Sequence, residues 1–194
     1  IDPTITNQDL TNYPLLISLT DLALVAKAQN DADDLFFTFG NETVKLAHEI
    51  ESYNPATGQL VAWVKVPTLS ATEITSLYMY YGNDLVESQA NPQAVWGSSY
   101  LAVQHLEETS GTATDSTAYA NHGQPLNGVN QNVAGIIDGA DSFDGVNDRI
   151  VLPQVFTNQQ QFTIEAWVYA GNQQGYIVSQ RNGSGQGAFL QYYA

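Results

Sequence analysis

The chain reads as an all-β protein made of two β-sandwich domains in tandem. Three observations predict this. Short runs with strand-like alternation are punctuated by clusters of Gly, Pro, Asn and Asp. A polar stretch from Asp84 to Pro92 separates two series of such runs. Residues 134–170 join a tight turn, Asp144-Gly145-Val146-Asn147-Asp148, to the flanks Phe143 and Ile150-Val151-Leu152, and then alternate Phe162, Ile164, Ala166 and Val168.

Each element has a local reason. Tyr13-Pro14-Leu15-Leu16-Ile17-Ser18-Leu19 is rich in strand formers. Asp21 can cap a short helix, with Leu22, Val25 and Ala28 at helical spacing. Asp33 to Phe39 reads as a strand ended by Gly40-Asn41. From Val44 to Tyr53, Val44, Leu46, His48 and Ile50 point one way, and Lys45, Glu49 and Glu51 point to the solvated side. Pro55-Ala56-Thr57-Gly58 turns the chain into Leu60–Val66, and Leu77–Tyr81 closes at Gly82-Asn83. The boundary is placed in the polar stretch, giving domains 1–92 and 93–194. The second domain restarts with Trp96 and a strand from Tyr100 to Leu106. A loop of small and polar residues follows, from Glu107 to Gly123. No period of 20–50 residues repeats, so a solenoid or propeller is not expected.

Composition narrows the function classes. The 194 residues carry twenty acids against five bases, a net charge of −15, and 43% hydrophobic content. Such a field repels nucleic-acid backbones and anionic lipid, and it favours divalent cations without requiring them. Cysteine is absent, which excludes disulfides, thiolate metal sites and cysteine nucleophiles. No apolar run approaches the ~20 residues of a membrane span. With charged residues at only 13%, the polar surface must come largely from Asn, Gln, Ser and Thr, a composition that suits secreted or surface-exposed modules.

A resemblance adds to this. His105-Leu106-Glu107-Glu108, Ser110-Gly111, Asp115-Ser116, Asn121-His122-Gly123, Gly135, Phe143-Asp144-Gly145, Asp148 and Phe162-Thr163-Ile164-x-Ala166-Trp167-Val168 occur in order. This order resembles laminin-G-like, concanavalin-A-like jelly-roll domains, and it implies that the second domain is a partial jelly roll, C-terminally incomplete. The first half, through Asn12-Tyr13-Pro14-Leu15-Leu16, Asp33-Asp34-Leu35-x-Phe37-Thr38, Glu49-Ile50-Glu51, Trp63-Val64-Lys65-Val66-Pro67 and Tyr80-Tyr81-Gly82-Asn83, is similar to an uncharacterised β-rich family found next to laminin-G-like domains in prokaryotic secreted or envelope proteins. Together the two imply an extracellular or cell-surface protein, often an adhesin or a carbohydrate-associated one.

Candidate chemistry is sparse. Glu49 and Glu51, two apart on a strand, would hold their Cα atoms about 6.5–7 Å apart, near the spacing glycosidase carboxylates use. Alternation on a solvated face explains them without catalysis, and the Glu-x-Asp-x-Glu string of concanavalin-like glycosidases is absent. His48, His105 and His122 have no zinc-site spacing. The resemblance implies that Asp115 and Asn121 help hold calcium, which takes carboxylate and carbonyl oxygens. Asp144 is a further candidate ligand, and Asp144 and Asp148 also suit a turn that bonds its own backbone. Trp63 and Trp167 are expected in the core. Tyr53, Tyr119, Tyr176 and Tyr192 are the surface aromatics, and Asn41-Glu42-Thr43 and Asn182-Gly183-Ser184 are glycosylation sequons.

The expected function is non-catalytic binding or adhesion, recognising a glycan or a surface protein through sandwich-end loops with calcium support. Two alternatives stand beside it. One is a structural subunit or spacer of a surface filament, completed by strands from neighbouring copies. The other is an accessory module of a polysaccharide-degrading enzyme. Nucleic acid and membrane insertion of this segment are not expected.

Overall fold

A computed structural model describes residues 1–40, 44–157, 159–171, 174–181 and 187–192. Both sequons lie outside them. The chain is all-β, with twelve strands and two short α-helices among the described residues. It divides into two compact units, residues 1–100 with 116–118, and residues 101–115 with 119–194.

The first unit is a sandwich of two three-stranded antiparallel sheets. Strands β1 (Leu10–Thr20), β5 (Gln59–Leu69) and β4 (His48–Asn54) form one sheet in that order. Strands β3 (Lys45–Leu46), β2 (Phe36–Phe39) and β6 (Leu77–Tyr80) form the other. Pro14 sits on the edge strand β1, where its missing N–H breaks no ladder. Leu60, Ala62 and Val64 on the inner face of β5 meet Leu35 and Phe37, with Leu24 dropped in from helix α1 (Leu22–Lys27). Ile17, Leu46, Ile50 and Met79 pack around that cluster. Each fully buried Leu or Phe here stabilises the sandwich by about 1.5–3 kcal/mol.

Local signals placed the helix and its neighbouring turn. The Asp21 carboxylate accepts from Ala23 N at 2.8 Å and caps α1. The face of that helix differs from the expected stripe, because Leu22 and Val25 are exposed and Leu24 is the buried residue. Six residues make fewer than two turns, so one anchor suffices. Gly58 ends the β4–β5 turn at φ 71°, and a Cβ there would lie 2.1 Å from the Asp21 carbonyl oxygen.

The expected Val44–Tyr53 strand is two strands, β3 and β4, serving different sheets. Helix α2 (Pro92–Trp96), capped by Asn91, follows the polar stretch and packs on β4 and β5. It covers the face of β4 expected to be solvated.

The second unit carries three two-stranded antiparallel pairs: β7 (Gln124–Leu126) with β10 (Arg149–Val151), β8 (Asn130–Ala134) with β9 (Gly139–Ser142), and β11 (Gly175–Arg181) with β12 (Gly187–Tyr192). The turn at 144–148 therefore joins strands with different partners. Two expected strands are corrected. Residues 100–106 contribute only a bridge between Gln104 and Asp115. Residues 162–168 form no strand, with Phe162 49% and Trp167 78% exposed. Alternation specifies a strand only where a neighbour supplies backbone partners and an apolar face, and among the described residues this segment has no ladder partner and only the Phe156 ring against Phe162.

Candidate functional site

In the second unit, Asp115 organises a knot of loop backbone. Its Oδ1 accepts from Val103 N and its Oδ2 from Asn121 N, both at 2.8 Å. Its own N–H donates to His122 Nδ1 at 2.9 Å, which fixes that nitrogen as the acceptor. The Asn121 side-chain amide donates to the Leu101 carbonyl at 2.8 Å. Gln104 Nε2 reaches the Asn121 carbonyl at 3.1 Å, and Gln104 Oε1 is buried without a hydrogen-bond partner. Asp115 itself is only 4% exposed. The knot thus gathers a carboxylate, an amide side chain, several carbonyls and one orphaned amide oxygen. Hard cations take such oxygens, and the orphaned Gln104 Oε1 is the atom that a cation or water there would satisfy. Both Asp115 oxygens, however, already accept backbone N–H groups.

Asp144 is placed apart. Its carboxylate accepts from Val146 N at 2.8 Å and Asn147 N at 3.3 Å, while Asp148 accepts from Asp144 N at 3.1 Å. The Val146 bond is the main cause holding the exposed Asp144 carboxyl below its usual range. This is the self-bonding turn geometry of Asp. Among the described residues, no group of three or more His, Cys, Asp or Glu side chains converges on one point. Nearby in sequence, burial and the charge of Glu108 raise the Asp141 carboxyl.

In the first unit, Glu49 and Glu51 depart from expectation. They are 7% and 8% exposed. Glu49 Oε2 accepts from the Trp96 indole N–H at 2.7 Å, and its Oε1 from the Ser116 hydroxyl at 2.5 Å. Glu51 Oε2 accepts from the Trp63 indole N–H. The two indoles pack at 5.1 Å between centroids, and Tyr100 meets Trp96 edge-on at 5.3 Å. Two features defeat simple alternation. Ile50 faces Ala62 and Ser52 faces Val61, so Glu51 is the extra residue of a β-bulge. Helix α2 and residues 116–118 then bury the face. A cavity of about 330 Å³, lined by Asp31, Asp33, Glu49, Glu51, Tyr53 and Ser88 among others, opens beside the pair. Its mainly polar lining suits water or a small polar group.

The histidines separate by burial. His48 is 1% exposed, packs edge-on against Phe37 at 5.4 Å, and leaves Nε2 unpartnered. Burial is the main cause lowering its pKa below 6.5. The expected core reading of His48 therefore matches its packing. His122 is tied to Asp115 as described. Among the aromatics, Trp63 is half-buried and Trp167 exposed. Tyr53 is half-buried and donates to the Leu24 carbonyl at 3.2 Å. Tyr119 and Tyr176 are each 51% exposed, while the Tyr192 side chain lies outside those described.

Sequence reasoning passed over Tyr78 and Tyr80, which are 50% and 44% exposed on β6. The signal was present in Leu77-Tyr78-Met79-Tyr80, where Met79 packs inward and the tyrosines alternate outward.

Comparison with known proteins bears on the first unit most. No curated protein and no solved structure matches the chain. A family model described as a domain of unknown function (DUF2341) matches residues 31–122, a stretch that runs from β2 through α2 to the Asp115–Asn121 loop.

Proposed function

We propose that the chain is a non-catalytic binding or adhesion module of an extracellular or cell-surface protein. It takes a glycan or a protein ligand through loops of the second unit, with calcium held at the Asp115 knot. The laminin-G-like order of motifs in residues 105–168 belongs to this reading. The observation that supports it is the buried, unpartnered Oε1 of Gln104, whose Nε2 bonds the carbonyl of Asn121, the residue that in turn donates to Asp115. Asp115 and Asn121 would hold the ion with Gln104, and a bound cation would fix the loop geometry that a ligand meets. The net charge of −15 favours neutral or cationic partners over nucleic acid or anionic lipid.

The non-catalytic part of the reading is supported by the carboxylate pair. Glu49 takes hydrogen bonds from Trp96 and Ser116, and Glu51 from Trp63, so both work as buried acceptors. Hydrolysis of a polysaccharide by this chain, abolished by Glu49→Gln, would overturn it. Among the described residues no helix is long and apolar enough to cross a membrane.

Binding on a glycan array with calcium, lost with EGTA and lost in Asp115→Asn, tests the reading. Silence under both conditions contradicts it. A second reading, assembly with neighbouring copies, is favoured by Phe162, Trp167, Tyr169 and Phe189, all at least 49% exposed in the second unit. Concentration-dependent sedimentation tests that one.

A further inference from the structure

The outer face of the sheet β3-β2-β6 carries a set of rings that the core does not use. Phe36 pairs with Tyr80 across β2 and β6, and Thr38 pairs with both Tyr78 and Lys45. These residues therefore share one face, opposite the core residues Phe37 and Met79. The Phe36 and Tyr80 rings are stacked, with centroids 4.9 Å apart and planes within 9°. The Lys45 ammonium lies 4.6 Å from the Phe36 centroid and bonds Gln89 Oε1. Phe36 thus covers one face of the Tyr80 ring and holds it upright on an edge strand. What remains exposed, 44% of Tyr80 and 50% of Tyr78, faces solvent.

We propose that this face binds an uncharged glycan, stacking a sugar ring on Tyr80 and Tyr78. The chemistry matches. The face of a phenol ring is electron-rich, and the axial C–H groups of a pyranose are its weakly positive, apolar side. Tyr78 and Tyr80 are two residues apart on one strand, so their Cα atoms stand about 6.5–7 Å apart. A sugar seated on the free face of Tyr80, opposite Phe36, can therefore reach the Tyr78 phenol beside it. Lys45, Gln89 and the two phenol hydroxyls supply a polar rim for sugar hydroxyls.

Area and charge select this occupant. Aromatic side chains present about 150–250 Å² each when fully exposed. At the observed exposures the two tyrosines offer roughly 200 Å² together, far below the ~800 Å² per partner of a stable protein interface. With a net charge of −15 the chain repels anionic polymers, so a neutral sugar is preferred to an acidic one. The proposal rests on the reading of the chain as a binding module, and not on its calcium loop.

The test is affinity electrophoresis of the full chain through native gels containing a neutral soluble β-glucan, mannan, xylan or galactan, with and without EGTA. At least one polysaccharide is expected to retard the wild type equally in both. Tyr80→Ala and Tyr78→Ala should each weaken retention by about tenfold, while Tyr80→Phe, which keeps the ring, should hold most of it. Circular dichroism checks that the variants fold. Tyr78→Ala leaves the Phe36 stack intact and decides the matter if Tyr80→Ala does not fold. Retardation that EGTA abolishes and neither alanine variant changes would overturn this platform while supporting the calcium loop. A wild type retarded by none of the four would overturn the platform as well.

Discussion

Glu49→Ala should be among the most costly single changes in the first unit. The carboxylate is 7% exposed and accepts from the Trp96 indole N–H at 2.7 Å and the Ser116 hydroxyl at 2.5 Å. Hydrogen bonds to a charged group contribute about 1.5–3 kcal/mol each. Truncation also leaves the two donors without this acceptor under α2, so the expected loss is about 4 kcal/mol. Glu49→Gln should cost less, about 1–2 kcal/mol, because the amide oxygen can still accept from Trp96 and the Ser116 hydroxyl can turn to accept from the amide. Urea unfolding followed by tryptophan emission reads this out, since Trp63 and Trp96 flank the site. With an m-value of about 1.5 kcal/mol/M, the alanine midpoint should fall by roughly 2–3 M. A double-mutant cycle with Trp96→Phe should give a coupling above about 1 kcal/mol. An alanine variant within about 0.5 kcal/mol of wild type, with no coupling to Trp96, would refute the reasoning.

Three other outcomes are expected in the same unit. His48 is buried and neutral, with its pKa lowered chiefly by burial and further by the nearby Lys45 charge. The unfolded chain binds its proton more readily, so stability should fall as pH drops below 6.5 and level off beneath the lowered folded value. His48→Gln should flatten that slope in acid titrations of thermal stability, and an unchanged slope would contradict it. Thr38 is 2% exposed on a central strand, and its hydroxyl has no partner. Thr38→Val should therefore stabilise by about 1 kcal/mol, and a loss of stability by calorimetry would count against the placement. Asp34, also 2% exposed, accepts from Gln29 N at 2.9 Å, Gly82 N at 2.5 Å and Asn83 N at 3.0 Å. Its alanine variant should lose about 3 kcal/mol in chemical denaturation, and should free the amides of Gly82 and Asn83 to exchange hydrogen.

What the sequence revealed was what short-range chemistry determines. The β1 and β5 runs, the Asp21 cap and the Gly58 turn each depend on a few adjacent residues, and each is found in place. Glu49 and Glu51 were misjudged because burial of the β4 outer face comes from α2 and residues 116–118, more than 40 positions away. The bulge at Glu51 is likewise invisible to a strict period of two. Trp167 illustrates the reverse error: its apolar neighbours predicted a core strand, yet it is 78% exposed. Asp115 and Asn121 were singled out together, and the structure joins them in one knot, but Gln104 entered only through the bridge to Asp115. Tyr78 and Tyr80 were legible in the alternation of β6, which points both away from Met79, and Tyr53, Tyr119, Tyr176 and Tyr192 were named instead.

The account turns on ligand binding by the loops around Asp115. The most direct measurement is a glycan array probed with the full chain in calcium and again in EGTA, with Asp115→Asn alongside. Beside any glycans held at Tyr78 and Tyr80, a defined set should bind whose signal falls away in EGTA and in the variant. An array that stays blank in calcium, or one on which no signal of the Tyr78→Ala/Tyr80→Ala chain falls in EGTA or on adding Asp115→Asn, would contradict it.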